Sequence, residues 1–443
     1  MSELSAAVKV EEISPVKKKM TIDVPWTDVK KERDAVYRNY SRKAKIKGFR
    51  QGKIPRKILE IHYKDYVEEE TISNLVNKFI ENVLKEHEIK AVGKPEIDEK
   101  GIEEEKGFSF SATFEVEPEI DPEGYLNMNL EKEELVVTDQ EVDSRLDEIR
   151  KMFGTLEEVT VDREIQNGDF VTIDFEGSVE GETPEEMKRN DYFLEIGSKT
   201  MVPGFEDQLI GEKVGTTKGI KIVFPEDYQV RNVAGKEAEF TVTIKTLKEK
   251  KLPELNEDFV KNFEKYESLE ALKADVRKSI LEEQERKIND ELAKQIVDKL
   301  LEQNTFEVPA AYVEQQIYFM IMEAQKRLIS TGMDPQMIAQ VSSSWRDKYR
   351  DEAVRIVKSS LLLKNIAKKE ALEATDEELE TRLREIAQQY SQGYEKVAES
   401  FDDNMKENVK SDILNKKIFE YIENKADIKM VQKRDSSSEE EKK

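Results

Sequence analysis

The chain contains no cysteine and only two histidines, His62 and His87. The first absence excludes disulfides, thiolate catalysis and cysteine-ligated zinc, and fits a reducing compartment. The second leaves almost no material for imidazole acid–base chemistry or multi-histidine metal sites. Both histidines are expected as exposed helix residues beside acids and lysines, and neither a metal nor any other cofactor is expected. Long apolar runs are also missing: nothing approaches the ~20 residues a membrane span needs. The first residues lack the basic-then-apolar layout of a secretory signal. A soluble cytoplasmic protein with no membrane partner is therefore expected. Positive charge is in deficit, with 72 Lys and Arg against 96 Asp and Glu and a net charge of −24. Such a chain is repelled from nucleic acid on average, so any RNA contact must come from a local patch that departs from the mean.

What is present divides the 443 residues into regions of different pattern. Residues 16–25 alternate as a short strand through Val16, Met20, Ile22 and Val24. A helix is expected over 27–44, and another from Pro55 to about residue 89. Two strands follow, the second carrying Phe108, Phe110, Ala112, Phe114 and Val116 in alternation with polar residues. Residues 1–117 thus read as an α+β domain. Residues 118–157 form a connection, in which Thr138 and Glu141 make a capping box for a helix to Met152 that is expected to pack with the later helices. Short strands and Gly/Pro turns dominate 158–248, a compact β-rich domain. From 249 to 430 the pattern is almost wholly helical, with helices expected at 268–303, 309–330, 334–347, 349–371, 376–390 and 401–425. The tail, 431–443, is polar and expected to be disordered. The fold class is α+β multidomain, with the β-rich domain inserted before an all-α long-helix domain.

Between Ala35 and Leu59 there is no acid, and nine of these 25 residues are Lys or Arg. That density suits phosphates, and Gly48 and Gly52 allow a loop to project it. Phe49 is an apolar residue at the expected loop tip. On charge alone, a solvated helix face with a turn is the competing reading. A nucleotide-binding P-loop is disfavoured, because Gly48–Lys53 is one residue short between its glycines and lacks Ser or Thr after the Lys. The run Gly48-Phe49-Arg50-Gln51-Gly52-Lys53-Ile54-Pro55 resembles the Gly-Phe-Arg-x-Gly-Lys-x-Pro signature of the trigger factors, bacterial ribosome-associated chaperones, and matches all its fixed positions. The resemblance implies that Gly48, Phe49, Arg50, Gly52, Lys53 and Pro55 dock on the large ribosomal subunit beside the exit tunnel. There they would touch a ribosomal protein and nearby RNA, with Phe49, Arg50 and Lys53 making the main contacts.

The β-rich stretch resembles FKBP-type prolyl isomerases. Val171–Gly177, Met201-Val202-Pro203-Gly204-Phe205-Glu206 and Phe224-Pro225-Glu226-Asp227-Tyr228 carry the likeness. Isomerisation of X–Pro needs no nucleophile or metal, only an apolar, water-poor pocket that favours the twisted amide. On composition alone, a plain core is the stronger reading of the eight Phe and Tyr here. The resemblance implies that Phe175, Tyr192, Met201, Val202, Phe205 and Tyr228 line a catalytic pocket. Pro184, Val230 and Val242 stand where stand-alone enzymes carry aromatics, which predicts weak activity.

The stretch from Tyr312 to Val341 concentrates adaptable apolar side chains, including Tyr312, Tyr318, Phe319, Met320, Met322, Met333 and Met337. Most are expected in the domain core. The rest would suit weak contact with unfolded chains, and the resemblance implies that this region forms the body and arms of a chaperone cradle. The combined reading is an ATP-independent chaperone with a built-in peptidyl-prolyl isomerase. Its partners would be the ribosome and unfolded nascent polypeptides, with no nucleotide and with room for a weak homodimer off the ribosome. The alternatives are a ribosome-independent isomerase and holdase, or an RNA-binding assembly factor. The acidity of the chain and the lack of aromatic stacking motifs beside the patch disfavour the last.

Overall fold

In the computed structural model, residues 7–47, 49–50, 53–179, 181–226, 228 and 233–433 are described, apart from the side chain of Glu186. Gly48, Gly52, Val230 and tail residues 434–443 lie outside them. The chain divides into two compact units, Met1–Lys132 with Asn289–Val431, and Glu133–Ile288 with Gln432–Lys443.

The first unit begins with β1 (Ala7–Ser14), β2 (Lys17–Val24), α1 (Trp26–Lys43), α2 (Arg56–Glu86), β3 (Ala91–Glu103) and β4 (Gly107–Val116). The strand expected at 16–25 is thus the second arm of a hairpin. Its partner β1 has mostly exposed side chains, so hydrophobic alternation does not mark it. The antiparallel sheet runs β1-β2-β4-β3. Alternation in β4 puts Phe108, Phe110, Ala112, Phe114 and Val116 on one buried face, where Leu75, Val76, Phe79 and Val83 of α2 cover them. Pro55 is the extended N-cap of α2, and Tyr63 (φ −132°, ψ 15°) interrupts that helix.

Next come β5 (Asn129–Glu133), α3 (Asp139–Met152), β6 (Thr155–Glu158), β7 (Phe170–Val179), β8 (Lys188–Glu195), β9 (Thr217–Val223), β10 (Glu237–Lys251), α4 (Glu257–Val260) and α5 (Leu269–Gln303). In the second unit β10 is the spine of an antiparallel sheet. It pairs with β7 along one edge, and with β9 and then β6 along the other; β8 flanks β7. The alternating apolar residues of β7 and β10 enclose a core with Leu194, Phe205, Leu209 and Ile220. Thr138 and Glu141 form the capping box of α3. Val142 and Leu146 of α3 pack on Phe259 and Val260 of α4 and on Leu272 and Val276 of α5. Asp169 is buried, accepts both Arg163 guanidinium nitrogens at 2.6 and 2.9 Å, and accepts the Gln166 N–H.

The first unit resumes with α6 (Ala310–Ser330), α7 (Pro335–Ser342), α8 (Trp345–Lys369), α9 (Asp376–Gln389), α10 (Tyr394–Ser400), α11 (Asp403–Lys425) and β11 (Asp427–Val431). α10 and β11 are absent from the sequence pattern. β11 pairs with β5, a partner almost three hundred residues earlier. The core joins Tyr125, Met128 and Leu130 to Leu292, Ile296, Leu362, Ile366, Ile418 and Ile422. The Glu370 carboxylate accepts the hydroxyls of Tyr125 (2.6 Å) and Tyr421 (2.5 Å). Among the described residues no helix is long and apolar enough to cross a membrane, and no cluster of acids and histidines is arranged to hold a metal.

Candidate functional sites

The basic segment is held at its base and open at its tip. Ala44, Ile54 and Leu59 pack with Val36, Tyr37 and Val67 in a small core that closes the base. Beyond it Lys45, Lys47, Phe49, Arg50 and Lys53 are exposed. Phe49 keeps 40% of its surface, an unusual share for a phenylalanine with a core nearby. The Phe49 N–H donates to the Ile46 carbonyl at 3.1 Å, and the Lys53 N–H to the Arg50 carbonyl at 3.0 Å. Among the described residues Lys43, Lys45, Lys47, Arg50 and Lys53 form no ion pair. Arg56 differs: it stacks over Tyr37 and pairs with Asp34 and Glu60. Arg56, one of the nine charges counted in the sequence, is therefore neutralised within the protein. Tyr40, Tyr63 and Tyr66 form an aromatic ladder beside the segment, with centroid spacings of 5.5 and 6.4 Å. They come from two helices and make no linear motif. Acids Asp65, Glu69 and Glu70 surround Tyr66 in sequence, which sets the ladder apart from a nucleic-acid platform.

The β-rich region holds a cavity of about 460 Å³. Phe175, Met201, Val202 and Tyr228 line it. Phe205 and Tyr192 do not reach its surface. Phe205 is fully buried and meets Phe175 and Phe240 edge-on, forming the support beneath the pocket. Tyr192 is half-buried and props Phe175 from the side at 5.6 Å. Phe240 and Phe224 line the cavity as well, though neither was expected among the pocket residues. Phe240 stands two residues before Val242, which is itself fully buried. Gly177 leaves the space for that ring: a Cβ there would lie 2.4 Å from Phe240 Cε1. Pro184 and Met187 also line it, and the Tyr228 ring lies tilted against Phe224 with centroids 4.8 Å apart.

Glu206, also missed from sequence, is buried behind the pocket. Its Oε2 accepts the N–H groups of Gly197 (2.8 Å) and Lys199 (3.0 Å), and its Oε1 accepts the Met201 N–H (3.0 Å) and the Ser198 hydroxyl (3.4 Å). Burial alone would raise its pKa; the backbone N–H groups outweigh that and hold it below the usual carboxylate value. The only signal for it in the sequence is its place at the end of the Met201–Glu206 motif.

Of the apolar residues expected to meet unfolded chains, Tyr318, Phe319, Met322 and Met337 are exposed. Tyr312, Met320 and Met333 are half-buried. Tyr312 and Met320 pack on Val313, Ile317, Ala353 and Val357, and burial pushes the Tyr312 hydroxyl pKa up.

Three family models match the chain. The model described as bacterial trigger factor protein matches residues 6–149, its C-terminal counterpart residues 268–424, and FKBP-type peptidyl-prolyl cis-trans isomerase residues 161–245. A trigger factor of Syntrophus aciditrophicus is 69% identical over 99% of this chain and all of its own length. Those of a Geobacter species (strain M21) and Geotalea uraniireducens are 37% and 34% identical, over 96% and 95% of this chain and 99% and 98% of theirs.

Proposed function

Because the chain belongs to the trigger factor family and carries an FKBP-type domain, we propose that it docks on the large ribosomal subunit and shelters emerging polypeptides in the cytoplasm while catalysing prolyl isomerisation. The observation that carries this reading is the exposed Phe49-Arg50 tip with Lys53, whose cations are left unpaired among the described residues. Cations held in this way are available to phosphates or acidic side chains of a partner. The tether raises the local concentration of chaperone at the exit tunnel, so each client contact can be weak and reversible. Tyr318, Phe319, Met322 and Met337 supply apolar, adaptable contacts that cover exposed segments and delay misassociation. No step consumes ATP. In the cavity bounded by Phe175, Phe224, Tyr228 and Phe240 the amide of an X–Pro bond leaves water, which favours the twisted form over the planar one.

The test is sedimentation with purified bacterial ribosomes across a salt series. The wild type is expected to pellet, with binding that falls as salt rises. Phe49→Ala, Arg50→Ala and Lys53→Ala combined are expected to abolish pelleting with the circular dichroism spectrum unchanged. Undiminished pelleting of the triple variant overturns the docking assignment. A proline-limited refolding assay tests the second activity, and absence of acceleration reduces the β-rich domain to a binding module.

A further inference from the structure

One carboxylate behind the prolyl cavity gathers the loop that carries part of its wall. Met201 and Val202 form part of the wall and sit at the end of a loop that starts at Gly197. That loop has little core of its own: Gly197, Ser198, Lys199 and Thr200 are all exposed. Its N–H groups at 197, 199 and 201 converge instead on Glu206. Glu206 is fixed in turn by its neighbour Phe205, which is wedged between Phe175 and Phe240 beneath the pocket. Met201 and Val202 also pack on the core, and the Phe205 N–H donates to the Val202 carbonyl at 3.0 Å, but the loop that leads to them is gathered by this one side chain. The far end of the segment is pinned as well, where the Gln208 amide donates to the carbonyls of Gly204 (2.7 Å) and Lys221 (2.9 Å).

We propose that Glu206 is the positioning residue of the isomerase pocket, holding the Gly197–Met201 loop so that Met201 and Val202 meet the twisted prolyl amide. The proposal rests on the isomerase reading above. Rotation about an X–Pro bond requires no proton transfer, so the domain's contribution is the shape it presents to the perpendicular amide. A wall held in place before substrate arrives costs nothing to reorganise at the transition state. Glu206 touches no substrate; it acts through Met201 and Val202. Its two oxygens have different duties. Oε2 holds Gly197 and Lys199, the start of the loop, while Oε1 holds Met201, the residue in the wall. Glutamine has one acceptor oxygen. If that oxygen stays on Gly197 and Lys199, the amide nitrogen faces the Met201 N–H, donor against donor, and the wall end comes free.

The experiment uses the full-length protein, with a tetrapeptide containing one X–Pro bond as probe. Exchange NMR gives the isomerisation rate, and titration gives the ground-state affinity. Glu206→Gln is expected to lower kcat/KM about tenfold or more, because a loosened wall loses preorganisation, with little change in Kd and faster hydrogen exchange at the Met201 amide. Asp169→Asn is the control. It removes another buried carboxylate of the same sheet, one that bonds Arg163 and Gln166 outside the cavity. It is expected to lose stability but keep its rate per folded molecule. Equal rates for Glu206→Gln and wild type overturn the proposal. So does a matched loss of rate in both variants, which makes Glu206 a stability residue only. If Glu206→Gln does not fold, Glu206→Asp carries the test: it keeps the charge but falls short of the loop, and an undiminished rate overturns the proposal. If the wild type itself does not accelerate isomerisation, the isomerase reading fails and the proposal falls with it. That case is distinguished by the wild-type rate alone.

Discussion

The Arg56 guanidinium lies 3.8 Å from the centroid of the Tyr37 ring while its nitrogens reach Asp34 at 2.9 Å and Glu60 at 2.8 Å. This stack fastens the first turn of α2 to α1 directly beneath the basic tip. Arg56→Gln should therefore lower stability by about 1–2 kcal/mol, combining a lost cation–π contact with partly exposed ion pairs. It should leave the salt dependence of ribosome binding unchanged, whereas Lys53→Ala should reduce the slope by about one. Thermal melts and salt-dependent sedimentation of the two variants separate the effects.

Phe240 fills the space that Gly177 leaves open. Gly177→Ala should push the ring out of the cavity wall, because the new methyl cannot share that volume. The cost should be about 1–3 kcal/mol, as for other overpacked cores, and prolyl turnover should fall with it. Phe240→Leu, which shrinks the ring without a clash, should relieve the strain in the double variant. Differential scanning calorimetry of the two single variants and the double variant measures the coupling.

Acid should weaken the β-rich domain through two carboxyls. Glu206 is held below its usual pKa despite burial by the amides of Met201, Lys199 and Gly197. Asp169 is likewise held low despite burial, by Arg163 and the Gln166 amide. A lowered folded-state pKa means that the unfolded chain binds protons first. The stabilisation is fully present above about pH 5.5, where these side chains are ionised even when unfolded, and is lost as pH falls through the unfolded and then the lowered folded values. Melts at pH 7 and pH 3 should show a drop that Glu206→Gln and Asp169→Asn each make shallower.

The apolar residues of α6 and α7 should divide by exposure. Serine at Tyr318, Phe319, Met322 and Met337 should shift the melting temperature little, since these side chains already face solvent. The same variant should suppress the aggregation of a denatured client less well. Serine at Tyr312 and Met320, which pack on Val313 and Val357, should instead destabilise the helices by about 2–4 kcal/mol. Light scattering during client refolding, set beside the melts, tells the two groups apart.

Much of this architecture was legible where one rule acts over a short stretch. The alternation from Phe108 to Val116 reads as a strand because one face is buried and the other is not. The capping box at Thr138 starts α3 because its hydrogen bonds span three residues. What was hidden depends on distant partners. β1 looks polar because its stability comes from pairing with β2. β11 is five residues long and exists through β5. In the pocket, Phe205 and Tyr192 stand behind the surface and Phe240 on it, since sequence specifies that an aromatic is present and not which side of the wall it occupies. Glu206 reads as one more acid in an acidic chain until the three amides around it are seen. Arg56 was counted with the free cations because Tyr37 and Asp34 lie on another helix.

The union of early and late segments in one unit has a bearing on how this protein is made. Tyr125, Met128 and Leu130 pack on Ile418 and Ile422, and β5 waits for β11. Translation at roughly 5–20 residues per second separates the two halves of that contact by roughly 15–60 s. During this interval the apolar side chains of the segment have no native cover, while the continuous stretch of the second unit can already close its own core. Under the proposed docking, a freshly initiated copy would spend its synthesis as a client of the kind it would later guard, and older copies at the same exit tunnel would be placed to shield it.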